Sequence, residues 1–247
     1  MNFPHFRSLL NLRRATAGPR PVEESLRRQD RRVGWIVQAA RDAGIADRTI
    51  FAVIGDHGFA DAPWAIHLNV ALRQAGLLRL SSDGKVADWQ AFAICEGGVA
   101  NVYVRDPQNP TLLERVRQVL DKLKADPRSG IDAVRTGQEA QQLFGASPLP
   151  AFCVEARPGY SLEPGVQGDL VTRAQGHPGT HGFRPDLPGY RTLFIAAGPG
   201  IAQNRTLPEI RLIDEAPTLC RPFGLVMPDA QDVVVTAALA QDEAAAR

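Results

Sequence analysis

Cysteine is scarce in this chain: Cys95, Cys153 and Cys220 are its three, far apart and with no C-x-x-C pair. That spacing excludes a thiolate zinc site and a disulfide scaffold, and predicts three buried, small apolar residues. An excess of one charge is also missing. The 247 residues carry 28 Lys plus Arg against 27 Asp plus Glu, a formal charge of +1, so no long-range field draws the chain to nucleic acid or to an anionic membrane. No apolar run approaches the ~20 residues of a membrane helix. The opening Met1-Asn2-Phe3-Pro4-His5-Phe6-Arg7 has no signal-peptide apolar region. The expectation is a chain with no membrane segment and no address, cytoplasmic by default. What is present suffices for a core. With 44% hydrophobic and 22% charged residues global disorder is excluded, and the length fits one large α/β domain or two small ones.

Apolar residues Leu26, Val33, Ile36, Val37 and Ala40 recur at helical spacing after Pro21 and before Gly44, which predicts a helix over 21–43. The run 49–54 is continuous, β-rich and too short for a helix, and reads as a strand buried on both faces of a parallel sheet. A helical pattern resumes over 64–78. From 76 to 175 the texture changes to short strands such as 100–104, a helix over 111–125 and a Pro/Gly-rich stretch over 147–168. This reads as an inserted α+β cap subdomain, 76–175, between two pieces of an α/β core, 1–75 and 176–247. A buried strand returns at 192–197, and Asp214 ahead of Pro217 reads as a helix cap.

Two clusters carry chemistry. Gly55-Asp56-His57-Gly58 follows a strand directly, where ligands bind in open α/β sheets. Asp56 and His57 suit a pair of metal ligands pointing apart, one for each of two cations or both for one; a plain Asx turn explains the same residues. Gly176-His177-Pro178-Gly179-Thr180-His181-Gly182 places two histidines on a glycine-rich loop before the next strand, a metal or phosphate contact or a hinge. His67 is a packing residue or a substrate contact. Tyr160 and Phe183 are core aromatics or surfaces on which a nucleobase or aromatic leaving group stacks. Arg184 and Arg191 are surface pairs or phosphate contacts.

Taken together, the order strand, Asp-His-Gly, inserted subdomain, Gly-Thr-His-Gly, strand resembles the alkaline phosphatase superfamily, and within it the type I phosphodiesterase/nucleotide pyrophosphatase family. The stretches that match are 26–34, 51–58, 69–78, Gly179-Thr180-His181-Gly182-Phe183-Arg184-Pro185-Asp186, 194–201 and 213–219. The resemblance spans residues 20–230. It implies an α/β fold with a mostly parallel sheet and helices on both faces, and a metal-dependent hydrolase of phosphodiester or pyrophosphate bonds. It also implies a small phosphoester or nucleotide substrate and a divalent metal cofactor, two zinc ions in the complete family site. Asp56 and His57 match ligands of the metal that activates the nucleophile, and His181 a ligand of the other. His67, Tyr160, His177 and Phe183 are not matched to family positions and stay candidate substrate contacts on their residue types alone.

The departures are specific. In the family a nucleophilic Thr or Ser and a further metal-binding Asp precede the equivalent of Asp56, and no such segment is identified here. The family's Asp-x-x-x-His motif, anchored on Gly18-Pro19, falls on Asn11 and Ala15; anchored on His5, its aspartate falls on Met1, which makes His5 a candidate ligand beside His181. The expectation is therefore a fold truncated at its N-terminus and an incomplete site. The nucleophile then comes from a partner chain that carries the missing half; the alternative is a catalytically inactive truncated or decayed relative that binds at most one metal. The sheet edge left open by truncation predicts poor solubility or self-association.

Overall fold

The computed structural model describes residues 19–175, 179–230 and 233–240. In chain order the elements are α1 (Pro19–Asp42), β1 (Phe51–Ile54), β2 (Ala60–Asp61), β3 (Trp64–Ile66), α2 (Leu68–Gln74), β4 (Leu78–Leu80), β5 (Val86–Trp89), β6 (Ala91–Cys95) and β7 (Val99–Val104). There follow α3 (Pro110–Ala125), β8 (Ile131–Thr136), α4 (Gly137–Phe144), β9 (Phe152–Ala156), β10 (Tyr160–Leu162), β11 (Val171–Arg173), β12 (Gly179–Thr180), β13 (Phe194–Ala197) and α5 (Glu215–Cys220). The chain divides into two compact units, the larger built on His57–Arg191 and the smaller on Glu23–Asp56 with Thr192–Arg247. The fold is mixed α/β.

The larger unit holds the main core. Its principal sheet runs β6-β7-β9-β8 with every pair antiparallel. α3 forms because Pro110 opens it with a fixed φ and Asn109 caps it, its side chain accepting from the Leu112 N–H at 3.0 Å. Leu112, Val116 and Leu120 recur at i, i+4 and i+8 and are buried in the core cluster with β-strand residues Val102, Phe152 and Val154. Each such side chain contributes about 1.5–3 kcal/mol by leaving water, so a carboxylate at position 120 would break the helix from its sheet. Thr136 and Glu139 close a capping box at the start of α4.

A three-stranded sheet, β10-β3-β11, lies in the same unit. β3 pairs β10 in parallel and β11 antiparallel. This corrects the helix expected over 64–78: Trp64–Ile66 are a strand and only Leu68–Gln74 are helical. Two partners remote in sequence satisfy both edges of this short apolar run, and tertiary pairing overrides its local helical periodicity.

In the smaller unit, α1 ends in a Schellman motif: Gly44, at φ 65°, donates to the Arg41 carbonyl at 3.0 Å and Ile45 to the Ala40 carbonyl at 2.9 Å. Val37 and Ala40 are buried as the pattern requires, but Ile36 is 63% exposed and Trp35 68%. β1 pairs β13 antiparallel, Phe51 opposite Ala197 and Ile54 opposite Phe194, and Ile54 is 55% exposed. The apolar run at 49–54 thus forms a strand, but one that is neither parallel to its neighbour nor covered on both faces.

Asp214 departs from the cap role read in the sequence. It stands at the N-cap position of α5, yet its side chain makes no cap bond. Instead its carboxylate accepts from the Arg211 guanidinium at 2.6 and 3.0 Å and from the Val233 N–H at 3.1 Å. Thr218 continues the clamp, donating to the Asp214 carbonyl at 2.6 Å and accepting from the Val235 N–H at 2.8 Å. The buried carboxylate therefore ties the C-terminal segment to α5.

Candidate metal centre

His57 opens the larger unit immediately after Asp56, the last residue of this segment of the smaller one. Within the larger unit β2 pairs β12, Ala60 opposite Thr180 and Asp61 opposite Gly179. That two-residue ladder holds the histidines flanking it together: the His57 and His181 rings stack with centroids 4.4 Å apart and planes 20° from parallel. Both residues are exposed. The His57 Nδ1–H donates to the Gly58 carbonyl at 2.9 Å, so that in the neutral ring the lone pair is on Nε2.

Tight backbone packing fixes the loop bearing His181. The Gly98 N–H donates to the His181 carbonyl at 2.7 Å. Gly182 takes φ 79°, and a Cβ there would run into the Glu96 carbonyl oxygen, so glycine is required at that position. Tyr190, a residue the sequence reading did not single out, joins the two clusters. Its hydroxyl accepts from the Gly182 N–H at 2.8 Å, and its ring lies so close to Gly58 that a Cβ there would meet it at 2.9 Å. Tyr190 is buried, and no sequence signal separates such an organising tyrosine from any other core aromatic.

The remaining candidates are dispersed. His67 sits at the start of α2, its Nε2 3.0 Å from the Thr172 hydroxyl and its Nδ1 buried with no hydrogen-bond partner among the described residues. Gly165 leaves room for that ring, since a Cβ there would strike Nδ1. Tyr160 stacks on Trp64 at 6.4 Å, with Arg173 over the other ring at 4.1 Å. Phe183 is buried and edge-on to Tyr190 at 5.8 Å. Arg184 pairs with Asp186 at 3.0 Å. His5 and His177 lie outside the described residues. Among the described residues no group of three His, Cys, Asp or Glu side chains converges as a metal-binding cluster. No described helix is long and apolar enough to cross a membrane.

Comparison with solved structures gives the fold a name. Human ectonucleotide pyrophosphatase/phosphodiesterase 5 superposes with a TM-score of 0.61 at 19% identity, over 87% of this chain and 52% of that one. The murine protein gives 0.60 at 16%, over 86% and 51%. An inactive variant of the murine protein in complex with AMP gives 0.60 at 16%, over 84% and 49%. The fold is thus alkaline-phosphatase-like, and the chain spans about half the length of these structures. No curated protein sequence matches it. The model of the type I phosphodiesterase/nucleotide pyrophosphatase family matches residues 14–184, the greater part of the chain, and the chain belongs to that family.

Proposed function

We propose that this chain carries part of the divalent-metal site of a phosphodiester or pyrophosphate hydrolase, with Asp56, His57 and His181 as ligands and His5 as a further one. The observation that carries the proposal is the stacked pair His57 and His181, two imidazoles remote in sequence and in contact in the fold. Their chemistry fits a metal such as zinc. Metal-binding histidines are neutral, and the bond from Nδ1 of His57 to a backbone carbonyl selects the tautomer that presents Nε2. When bound, a divalent cation supplies Lewis-acid polarisation of a phosphoryl oxygen. The chain's own residues do the rest of what is assigned here: His57 is oriented by Gly58, and His181 is held by Gly98 and, through Gly182, by Tyr190.

A nucleotide is the substrate class we favour, supported by the AMP held by the inactive murine relative. His67, Tyr160, His177 and Phe183 are kept as candidate substrate contacts, and residues 76–175 as an inserted cap subdomain. The isolated chain is proposed to be catalytically incomplete, with the nucleophile supplied by polypeptide other than the residues described. Among the described residues no three-residue ligand cluster forms, and since zinc sites normally use three or four protein ligands, the metal site too needs donors from outside them. The same observation favours a second reading, an inactive relative that binds at most one metal.

Turnover of bis-p-nitrophenyl phosphate with added zinc, measured beside zinc binding, tests the proposal. We expect zinc bound and negligible hydrolysis by the 247-residue chain, and hydrolysis once a nucleophile-bearing segment of the family is fused ahead of it. Robust hydrolysis by the chain alone would overturn the incompleteness. Continued silence of the fused protein with zinc bound would favour the inactive relative.

A further inference from the structure

We infer that Tyr190 is the positioning residue of the histidine pair, its ring setting the place of His57 and its hydroxyl that of His181; the consequence for zinc affinity rests on the metal-site reading above. The residues concerned all belong to the larger unit.

The strand ladder does not place the pair by itself. β2 and β12 pair over two residues only, Ala60 with Thr180 and Asp61 with Gly179. His181 adjoins that ladder, but His57 stands three residues ahead of it, a length of chain that reaches up to about 10 Å. Both histidines are exposed, so burial does not hold their rings at a centroid separation of 4.4 Å. A second tie is needed.

Tyr190 supplies it by meeting the residue that follows each histidine. Gly58 is buried, with the Tyr190 ring and backbone so near that a Cβ there would lie 2.8 to 3.0 Å from them. The His57 ring donates to the carbonyl of that same glycine at 2.9 Å, so the ring goes where Gly58 goes. On the other side, the peptide that joins His181 to Gly182 is a rigid plane containing the His181 Cα. Its C=O accepts from the Gly98 N–H at 2.7 Å and its N–H donates to the Tyr190 hydroxyl at 2.8 Å. One bond leaves such a plane free to swing. Two bonds, at opposite ends, fix it.

Tyr190 is in turn anchored without any help from a metal. The Leu187 N–H donates to the Arg184 carbonyl at 3.2 Å and the Tyr190 N–H to the Leu187 carbonyl at 3.0 Å, two successive turns that return the tyrosine to Gly182. Its ring is buried in the main core cluster and meets Phe183 edge-on at 5.8 Å. A single core residue therefore holds both histidine-bearing loops, through different atoms for each, and the two effects are separable by substitution.

Tyr190→Phe and Tyr190→Leu, made in the full chain and followed by NMR with and without zinc, test this. In the metal-free protein Tyr190→Phe should speed hydrogen exchange of the Gly182 amide by about tenfold and shift the His181 ring signals, with those of His57 unchanged. Tyr190→Leu removes the ring as well, and the nuclear Overhauser contact between the His57 and His181 rings should disappear. The zinc dissociation constant should rise about tenfold in the first variant and about a hundredfold in the second, the range for residues that orient metal ligands. Leu120→Val, a core change in α3, is the control for general loss of stability and should leave the ring contact and the zinc affinity as they are. Gly182 exchange and the ring contact unchanged in both tyrosine variants, or zinc affinity lost equally in Leu120→Val, would overturn the positioning role. A wild-type chain that binds no zinc would overturn the metal-site reading alone, and the metal-free measurements still decide the role of Tyr190.

Discussion

Replacing Asn69 by leucine should destabilise the larger unit far more than the near-equal volume suggests. Asn69 lies on α2 with no exposed surface, and its amide faces the edge strand β6. Nδ2 donates to the Ala93 carbonyl at 2.9 Å, and Oδ1 accepts from the Ala93 N–H at 2.8 Å. Ala93 is itself fully buried and stands opposite Val102 of β7, but its N–H and C=O bond to Asn69 on the other edge of β6. The side chain thus acts as one residue of a further strand. Leucine fills the space and leaves two buried backbone groups without partners. At about 1–3 kcal/mol for each orphaned group the loss is about 2–6 kcal/mol, against a total stability of about 5–15 kcal/mol for a typical domain. Urea titration followed by far-UV circular dichroism measures it, and hydrogen exchange at β6 and α2 locates it. A loss below about 1 kcal/mol would refute the reasoning, because the two bonds would then be replaceable by water or by relaxation.

Gly182→Ala should separate the two histidine loops, since the new Cβ meets the Glu96 backbone at a positive φ; zinc affinity should fall about tenfold or more, and an unchanged affinity would show that the loop is not held as described. The Arg211 guanidinium beside Asp214 keeps that carboxyl below the usual carboxylate range. The clamp therefore contributes stability above about pH 4, near the unfolded value, and loses it as pH falls through the lowered folded value. Asp214→Asn should lower stability at neutral pH and flatten the acid limb of the smaller unit's stability profile, and an acid limb of full size in that variant would place its origin elsewhere. Burial pushes the Cys95 thiol up to about 12 and the Cys153 thiol up to about 11, with Glu163 and Glu155 adding to the respective shifts. Cys153 is buried and Cys95 partly so, as is Cys220, against the three buried thiols expected from the sequence; Cys95 and Cys153 should alkylate far more slowly at pH 8 than in denaturant, and equal native and denatured rates would contradict that shielding.

Local signals were legible where one element decided its own fate. Gly44 marks a helix end because its backbone preference does not depend on neighbours, and α1 and α3 fall within two residues of the expected bounds, α1 beginning at Pro19 rather than Pro21. The strands at 51–54, 99–104 and 194–197 follow from β-branched and aromatic runs. Non-local pairing was not legible. Trp64–Ile66 carry a helical period and become a strand because β10 and β11 claim their edges. The exposure of Ile36 and Ile54 cannot be read from periodicity, which gives the direction a side chain points and not whether anything covers it. At the candidate site, His57 and His181 stood out as residue types on glycine-flanked loops. Tyr190 did not, since its role rests on a contact with the Gly182 N–H that has no mark in the sequence.

The imidazole resonances of His57 and His181 during a zinc titration, observed by nitrogen-correlated NMR, test the central claim most directly. The account predicts that both histidines respond together at one saturable stoichiometry, with His57 bound through Nε2 while Nδ1 keeps its proton. A response of His57 without His181, or of neither, would contradict a shared metal centre in this chain.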